Sequence, residues 1–176
     1  DHVSLLDSES GMDLRQTINK FSEYMILLRN RYNYIPVVIQ QQNLETIGLE
    51  AFKSNKIRPT MAGLADSKAT GKDTTMMLGI TNPYSHEIPN YLGYDITKLK
   101  GNVRFLEVVL NREGQSNGIV ALLFDGATCT IKELPKPEDT KTLESIYNYL
   151  DKIRNPKPKE KIFFIIHKFK KLITNG

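Results

Sequence analysis

The stretch Ile35-Pro36-Val37-Val38-Ile39-Gln40-Gln41-Gln42 runs from apolar residues straight into three amides. A short run of β-branched apolar side chains is typical of a strand that is buried on both faces of a parallel sheet. In open α/β sheets, ligands bind at the carboxyl ends of the strands, so the glutamines stand where a site is expected. The alternative is that they begin a solvated loop. The stretch therefore predicts an α/β fold with a candidate site at this strand end.

A helix is predicted immediately before this strand. Apolar residues at spacings of three and four indicate one amphipathic helix over about residues 14–31. They are Leu14, Ile18, Phe21, Met25 and Leu28. Asp13 is well placed to cap the first turn. Helix, short connection and buried strand are the parts of an α/β crossover.

Further strands are predicted downstream of the central strand. They cover residues 74–80, 103–110, 119–124 and 128–134. Short polar turns join the last three, and Asp125-Gly126 is a strong hairpin signal, so we expect an antiparallel edge on an otherwise parallel sheet. A second amphipathic helix is predicted over residues 140–153. Residues 82–101 are rich in Pro, Gly and Tyr and are interpreted as a surface insertion.

Composition limits the class of protein. The chain has 176 residues and a formal charge of +4, with the basic excess concentrated in residues 151–176. A single cysteine, Cys129, excludes an internal disulfide framework and a cysteine-rich zinc site. No apolar run has the length of a membrane span and no signal peptide is recognisable, so we expect no membrane partner and a cytoplasmic location.

The two ends of the chain are unlike its middle. It begins at Asp1 without a methionine, and we expect it to be the C-terminal part of something longer. A proline-rich linker follows residue 134, which predicts a main domain over residues 1–134 and a basic helical extension over residues 135–176. Within the extension, residues 162–173 mix apolar residues with lysines. They either bind an anionic partner, a membrane surface or DNA, or pack as an ordinary amphipathic helix, which is the favoured interpretation.

Three other stretches combine strands with polar residues that could carry chemistry. The first is Asp1-His2-Val3-Ser4-Leu5-Leu6, an aspartate before an apolar run. The second is Arg58-Pro59-Thr60-Met61-Ala62-Gly63-Leu64-Ala65-Asp66-Ser67, followed by Asp73. The third is Val108-Val109-Leu110-Asn111-Arg112-Glu113-Gly114, followed by Gly118 and Leu122-Leu123-Phe124-Asp125-Gly126.

Together with the glutamine stretch and in this order, these segments resemble the C-terminal half of the RecA-like motor domain of DnaB-type replicative helicases. The resemblance covers about residues 1–134. It implies a partial RecA-like (P-loop NTPase) core with a mixed, mostly parallel sheet and a C-terminal antiparallel β-hairpin edge, followed by the helical tail. It also implies an ATP-dependent motor that forms a ring, expected to be hexameric, and that translocates on single-stranded DNA and unwinds duplex.

The resemblance implies roles for individual residues. Asp1 matches the carboxylate that holds the Mg²⁺ of bound ATP through water, as suits a hard cation that keeps its waters. Gln42 matches the γ-phosphate sensor, with Gln41 beside it in the nucleotide site. Arg112 matches the arginine finger that reaches into the neighbouring subunit's site, where a planar guanidinium suits developing phosphoryl charge. The alternatives are a chain end for Asp1, a loop amide for Gln42 and a surface charge for Arg112.

The DNA contacts implied by the resemblance lie between the second and third stretches. The loop over residues 43–56 would face single-stranded DNA in the central channel. Lys53 and Lys56 are its positive charges, and Arg58 follows them. Basic groups in such channels track the phosphates of the strand, so these three residues are the candidate DNA-binding residues.

The sequence also departs from the family pattern. Leu110 stands where the family has a lysine, Ala65 where it usually has an arginine, and Gly71-Lys72 where it usually has an acidic residue and a glutamine. No Gly-x-x-x-x-Gly-Lys-[Ser/Thr] motif occurs anywhere in the chain, so nothing cradles the β- and γ-phosphates. The chain alone is therefore not expected to hydrolyse ATP. The alternatives are a degenerate RecA-like binding or structural subunit, and a recombinase-like filament former, which shares the core but not the Asn-Arg-Glu-Gly turn.

Overall fold

A computed structural model describes residues 2–8, 11–42, 57–64 and 69–156 of the chain. Backbone contacts group the chain into two units, residues 1–82 with 104–122 and residues 83–103 with 123–176. Each unit is described by itself below. The predicted division at residue 134 stays a prediction.

The described helices and strands follow the chain in a simple order. Helix α1 (Leu14–Tyr32) is followed by α2 (Ala69–Asp73), β1 (Met76–Thr81), β2 (Asn90–Tyr91), β3 (Tyr94–Asp95), α3 (Ile96–Leu99), β4 (Val103–Asn111), β5 (Ile119–Asp125), β6 (Thr130–Glu133) and α4 (Thr140–Arg154). Short 3₁₀ turns lie at Val3–Leu5, Met61–Gly63, Pro83–His86 and Lys100–Asn102. The predicted helices over residues 14–31 and 140–153 and the four downstream strands are confirmed.

The main sheet has the strand order β1-β4-β5-β6 and is antiparallel. In the β1–β4 pair, Leu78 lies opposite Val108 and Thr81 lies opposite Phe105. A mixed α/β fold is therefore confirmed, but the prediction of a mostly parallel sheet was wrong for the described residues. The hairpin signals downstream of residue 103 were correct, whereas the parallel part of the prediction depended on the central strand.

That predicted central strand is extended but is assigned to no strand. Its side chains are open to solvent, with Ile35 91% and Val37 86% exposed. Val3 N donates to Ile39 O at 2.9 Å, and Gln42 forms a bridge with Leu64. A strand becomes buried only when neighbouring strands pair with its backbone and other elements cover its faces. In the described part of the chain, no strand of either sheet lies beside residues 35–39.

Helix α1 begins and ends with local signals that the sequence supplies. Gln16 N donates to Asp13 Oδ1 at 2.7 Å, and Asp13 N donates to Gln16 Oε1 at 3.0 Å, which completes a capping box. Asn33 ends the helix in the left-handed conformation, with φ 55°. Ile18 and Ser22 are buried on the inner face. The predicted cap at Asp13 is confirmed.

The segment around Pro59 packs directly on β1. A Cβ placed at Gly79, in the middle of that strand, would overlap the ring of Pro59. Only a glycine lets the two backbones approach so closely. The close contact holds the Arg58-Pro59 segment against the sheet of the first unit.

The second unit has its own small core. Tyr91, Tyr94, Ile96 and Leu99 are buried, and helix α4 adds Leu143, Tyr147 and Leu150. The interpretation of residues 82–101 as a surface insertion was therefore wrong. A tyrosine ring can be buried when its hydroxyl finds a partner, and Tyr94 Oη donates to Pro135 O at 2.9 Å.

Polar groups tie helix α4 to the rest of this second unit. Arg154 Nη1 donates to Lys98 O at 2.5 Å, and Arg154 Nη2 donates to Leu99 O at 2.5 Å. Burial, together with the carboxylate of Glu138, raises the pKa of Tyr94. Of the helices that the structure describes, none combines the length and apolarity needed to cross a bilayer.

Candidate functional site

Arg112 lies in the polar turn that follows β4, and its exposed side chain folds back onto the chain. The guanidinium donates from Nε to Thr74 O at 3.0 Å and from Nη2 to Lys72 O at 2.6 Å. The Arg112 main-chain N–H donates to Thr75 O at 3.0 Å. Carbonyls in the last turn of a helix lack intrahelical donors and attract cations. The carboxyl end of α2 thus fixes the position of this guanidinium.

The turn that carries Arg112 is itself held by side chains. Asn111 N donates to Ser116 Oγ at 3.0 Å, and Glu113 N donates to Asn111 Oδ1 at 3.1 Å. Asn111 Nδ2 also donates to Gln115 O at 3.3 Å. The Asn-Arg-Glu-Gly stretch therefore has a defined conformation, because its Asn bonds the backbone on both sides of the arginine.

Arg112 lines a polar surface pocket of about 470 Å³ in the first unit. The lining residues are Ile26, Arg29, Lys72, Asp73, Thr74, Thr75, Arg112 and Glu113. Three of them are cationic and two are carboxylates. This charge balance, with two hydroxyls alongside, is compatible with an anion that is bound from outside the chain.

Two of the charged residues in this pocket have partners within the chain. Ser22 Oγ donates to Asp73 Oδ2 at 2.6 Å. Arg29 Nη1 lies 3.4 Å from both Asp73 O and Thr75 Oγ1. These bonds join helix α1 to the connection between α2 and β1, so α1 forms one wall of the pocket.

The three glutamines at the end of the extended segment have separate surroundings. Gln40 Oε1 accepts from Thr70 Oγ1 at 2.5 Å, which joins it to α2. Gln42 Nε2 donates to Arg58 O at 3.4 Å. A Cβ at Gly63 would lie 2.7 Å from Gln42 Nε2, so the glycine makes room for this amide. Gln41 is exposed.

The two residues with the most specific implied roles do not share a pocket in this chain. The lining of the Arg112 pocket does not include Gln42. This separation is compatible with an arginine that acts on a neighbouring protomer and an amide that acts within its own. The roles of Gln42, Gln41 and Arg112 stay predictions.

Arg58 takes part in an ion pair that the sequence did not indicate. Its Nε donates to Glu107 Oε2 at 3.1 Å, and its Nη2 bonds Glu107 Oε1. Glu107 lies on β4 and is only 6% exposed. A buried carboxylate needs such a bidentate partner, so Arg58 stabilises the sheet, and its contact with DNA stays a prediction. The available signal was a lone glutamate within the apolar run of β4, in register with the buried Val103 and Phe105.

The remaining predicted site residues, Asp1, Lys53 and Lys56, lie outside the described residues, as do residues 157–176 of the basic tail. Among the residues that are described, no three His, Cys, Asp or Glu side chains come together as metal ligands. The Mg²⁺ and single-stranded DNA contacts assigned to these positions stay predictions.

Comparison with known proteins shows a fold relation. No protein-family model matches the chain, and no curated protein matches it significantly. Among solved structures, the chain is similar to the ATPase domain of a DnaB-like helicase, with a TM-score of 0.59 and 14% sequence identity. The match covers 77% of this chain and 43% of that one, so the chain spans less than half of that structure. The chain thus has a distant fold relation to RecA-like, helicase-type ATPase domains.

Proposed function

We propose that this chain contributes the arginine-finger half of an ATP-driven, ring-forming replicative helicase motor of the DnaB type. The geometry of Arg112 is the observation that carries the proposal. Its guanidinium is exposed at the tip of a rigid turn and is oriented by two carbonyls at the end of α2. The fold relation to an ATPase domain supports the same class of protein.

The way Arg112 is held suits a finger that acts on a neighbour. A guanidinium has five N–H groups, and the two bonds to Thr74 O and Lys72 O leave others for an outside acceptor. Because the side chain is already oriented, little reorganisation is needed when it meets a phosphoryl group. In a ring, this acceptor would be the γ-phosphate of ATP bound by the adjacent protomer.

The residues of this chain fit only part of a nucleotide site. Gln42 supplies an amide, Arg112 a cation in trans, and Asp1 a carboxylate for Mg²⁺. When bound, ATP with Mg²⁺ supplies the phosphoryl group whose cleavage drives the motor. The Gly-Lys-[Ser/Thr] cradle is not in the printed sequence, so the proposal requires that other sequence provides it. Translocation on single-stranded DNA would then follow from loops in the central channel.

Replacing Arg112 tests the finger assignment in the full-length protein. We expect Arg112→Ala to lower DNA-stimulated ATP turnover by roughly 10³-fold or more, the range found for arginine fingers, while the affinity for a fluorescent ATP analogue stays nearly unchanged. Arg112→Lys keeps the charge but loses the planar fork, so it should recover only a small part of the rate. Arg15→Ala removes an exposed arginine on α1 and serves as the matched control.

Mixed assemblies separate action in trans from action within one protomer. When wild-type and Arg112→Ala protomers are combined, a finger in trans makes turnover fall more steeply than the fraction of variant protomers. Turnover by Arg112→Ala alone at the wild-type rate would overturn the assignment, and a strictly linear fall in the mixture would place the arginine in its own protomer's site.

A second candidate is a degenerate RecA-like subunit that binds nucleic acid or partners without catalysis. Leu110 favours it, because this half-buried leucine pairs with Met77 of β1 where the family has a lysine. The full coding sequence distinguishes the two candidates. A phosphate-binding loop elsewhere in the same protein favours the motor, and its absence there favours the non-catalytic subunit.

A further inference from the structure

The resemblance implies two cations close to the neighbour's phosphates, but β4 supplies only one of them. Arg112 is present, whereas the position two residues earlier is Leu110. In the structure, Leu110 lies opposite Met77 in the β1–β4 pair and is half-buried. Its side chain serves packing in the sheet, so the second positive charge has to come from another element.

Lys72 lies next to Arg112 although it is 40 residues away in sequence. It occupies the last turn of α2, is exposed, and lines the same pocket as Arg112. Its main-chain carbonyl accepts from Arg112 Nη2 at 2.6 Å, so the two residues have a fixed spatial relation. Lys72 is also a departure from the family pattern, which usually has a glutamine there. The chain has thus lost one lysine and gained another beside the same arginine.

The other charged groups of the pocket leave Lys72 available. Arg29 is engaged by Asp73 O and Thr75 Oγ1, and the Asp73 carboxylate accepts from Ser22. Glu113 is the second carboxylate in the lining. Among the described residues, the Lys72 ammonium forms no hydrogen bond or ion pair. Lys72 and Arg112 are therefore the cations of this pocket that retain donors for an external anion.

We propose that Lys72 replaces the missing strand lysine as the second phosphate-contacting cation of the trans site. Its ligand is the terminal phosphate of ATP held by the adjacent protomer, the same group that Arg112 addresses, so the inference rests on the proposed function. A lysine has three donors on a flexible stem and binds phosphate as a point charge. Lys72 can therefore serve the same phosphate from α2 that the family reaches from the strand.

The charge of Lys72 can be removed without disturbing Arg112, because Arg112 bonds the main chain of Lys72 and not its side chain. In the full-length protein, we expect Lys72→Met to lower the kcat of DNA-stimulated ATP hydrolysis by about 10²-fold, the scale for one preorganised charge-stabilising donor. KM should change by less than about threefold, because the contact is made mainly in the transition state. Lys72→Arg should retain most of the activity, and Lys141→Ala, on the exposed face of α4, is the matched control.

A rescue variant makes the test specific. In the Lys72→Met background, Leu110→Lys restores the family's strand lysine and should recover at least tenfold of the lost kcat. A melting temperature of Lys72→Met equal to that of the wild type separates loss of charge from loss of structure. Wild-type kcat in Lys72→Met, or failure of Lys72→Arg to retain activity when both variants are folded, would overturn the role of Lys72.

The outcome for Arg112 distinguishes this inference from the proposed function. If Arg112→Ala abolishes turnover while Lys72→Met does not change it, the motor assignment stands and the inference about Lys72 is wrong. If neither variant changes turnover, the proposed function itself fails.

Discussion

Two apolar segments of this chain look alike in sequence and differ in the structure. Residues 35–39 and strand β4 (Val103–Asn111) are both rich in β-branched residues, and each leads into the polar residues of a candidate site. In β4, Val103 is fully buried and Phe105 is 2% exposed, and the strand has neighbours on both sides. In the other segment, Ile35 is 91% exposed.

The difference shows that an apolar run specifies a tendency and not a burial. β4 is covered because β1 and β5 come from nearby sequence and join it through short connections. Antiparallel neighbours of this kind need only a hairpin, whereas parallel neighbours require crossover connections to more distant sequence. A parallel strand is therefore the element whose burial is hardest to infer from a segment alone.

Truncating the core side chain of β4 should have the largest effect on stability. We expect Phe105→Ala to lower the free energy of unfolding by about 3–5 kcal/mol, because it removes a buried ring and leaves a cavity. Urea denaturation measures the change. Ile131→Ala on β6 is the control, since that side chain is 59% exposed. A loss at Phe105 no larger than that at Ile131 would contradict the burial of this face of β4.

Breaking the ion pair on the same strand should have an intermediate effect. We expect Arg58→Ala to destabilise the protein by about 2 kcal/mol, because it leaves the buried Glu107 carboxylate without its partner. The loss is smaller than for a fully buried pair, since the Arg58 side chain is 44% exposed. Thermal unfolding measures it.

The double variant Arg58→Ala/Glu107→Leu identifies the cause of that loss. Removing both partners avoids the unpaired buried charge, so the double variant should be more stable than Arg58→Ala. Equal or lower stability of the double variant would mean that Arg58 acts through packing and not through the carboxylate.

Substituting the exposed segment should have the smallest effect. We expect Val37→Ser to change the free energy of unfolding by less than about 0.5 kcal/mol, as for other exposed positions. Val103→Ser, the same substitution at a buried valine of β4, should cost about 2–3 kcal/mol. Equal losses at the two valines, measured by urea denaturation, would mean that residues 35–39 are covered.

Local signals predicted the elements with good accuracy. The capping box of α1, the Asp125-Gly126 turn and the alternation in β4 depend on residues within a few positions of each other, so the sequence carries them directly. The burial of Tyr91 and Tyr94 was missed, because aromatic residues among glycines and prolines suit a surface loop as well as a small core. Their partners, Pro135 and helix α4, are distant in sequence.

The candidate site was only partly predictable. A finger at Arg112 followed from the Asn-Arg-Glu-Gly stretch, and this role stays a prediction. The buried pair of Arg58 with Glu107 and the proximity of Lys72 to Arg112 had no local signal, since each joins residues 40 or more positions apart. Such contacts depend on which strands and helices lie side by side.

The sequence by itself determined where helices and hairpins form, because propensity, capping and turn chemistry act over a few residues. Tertiary structure alone decided that the sheet is antiparallel, that residues 35–39 are exposed, and that Lys72 lines the pocket of Arg112. The physical reason is that burial and the meeting of charges depend on distant neighbours, and a local pattern does not say which neighbours a segment will have.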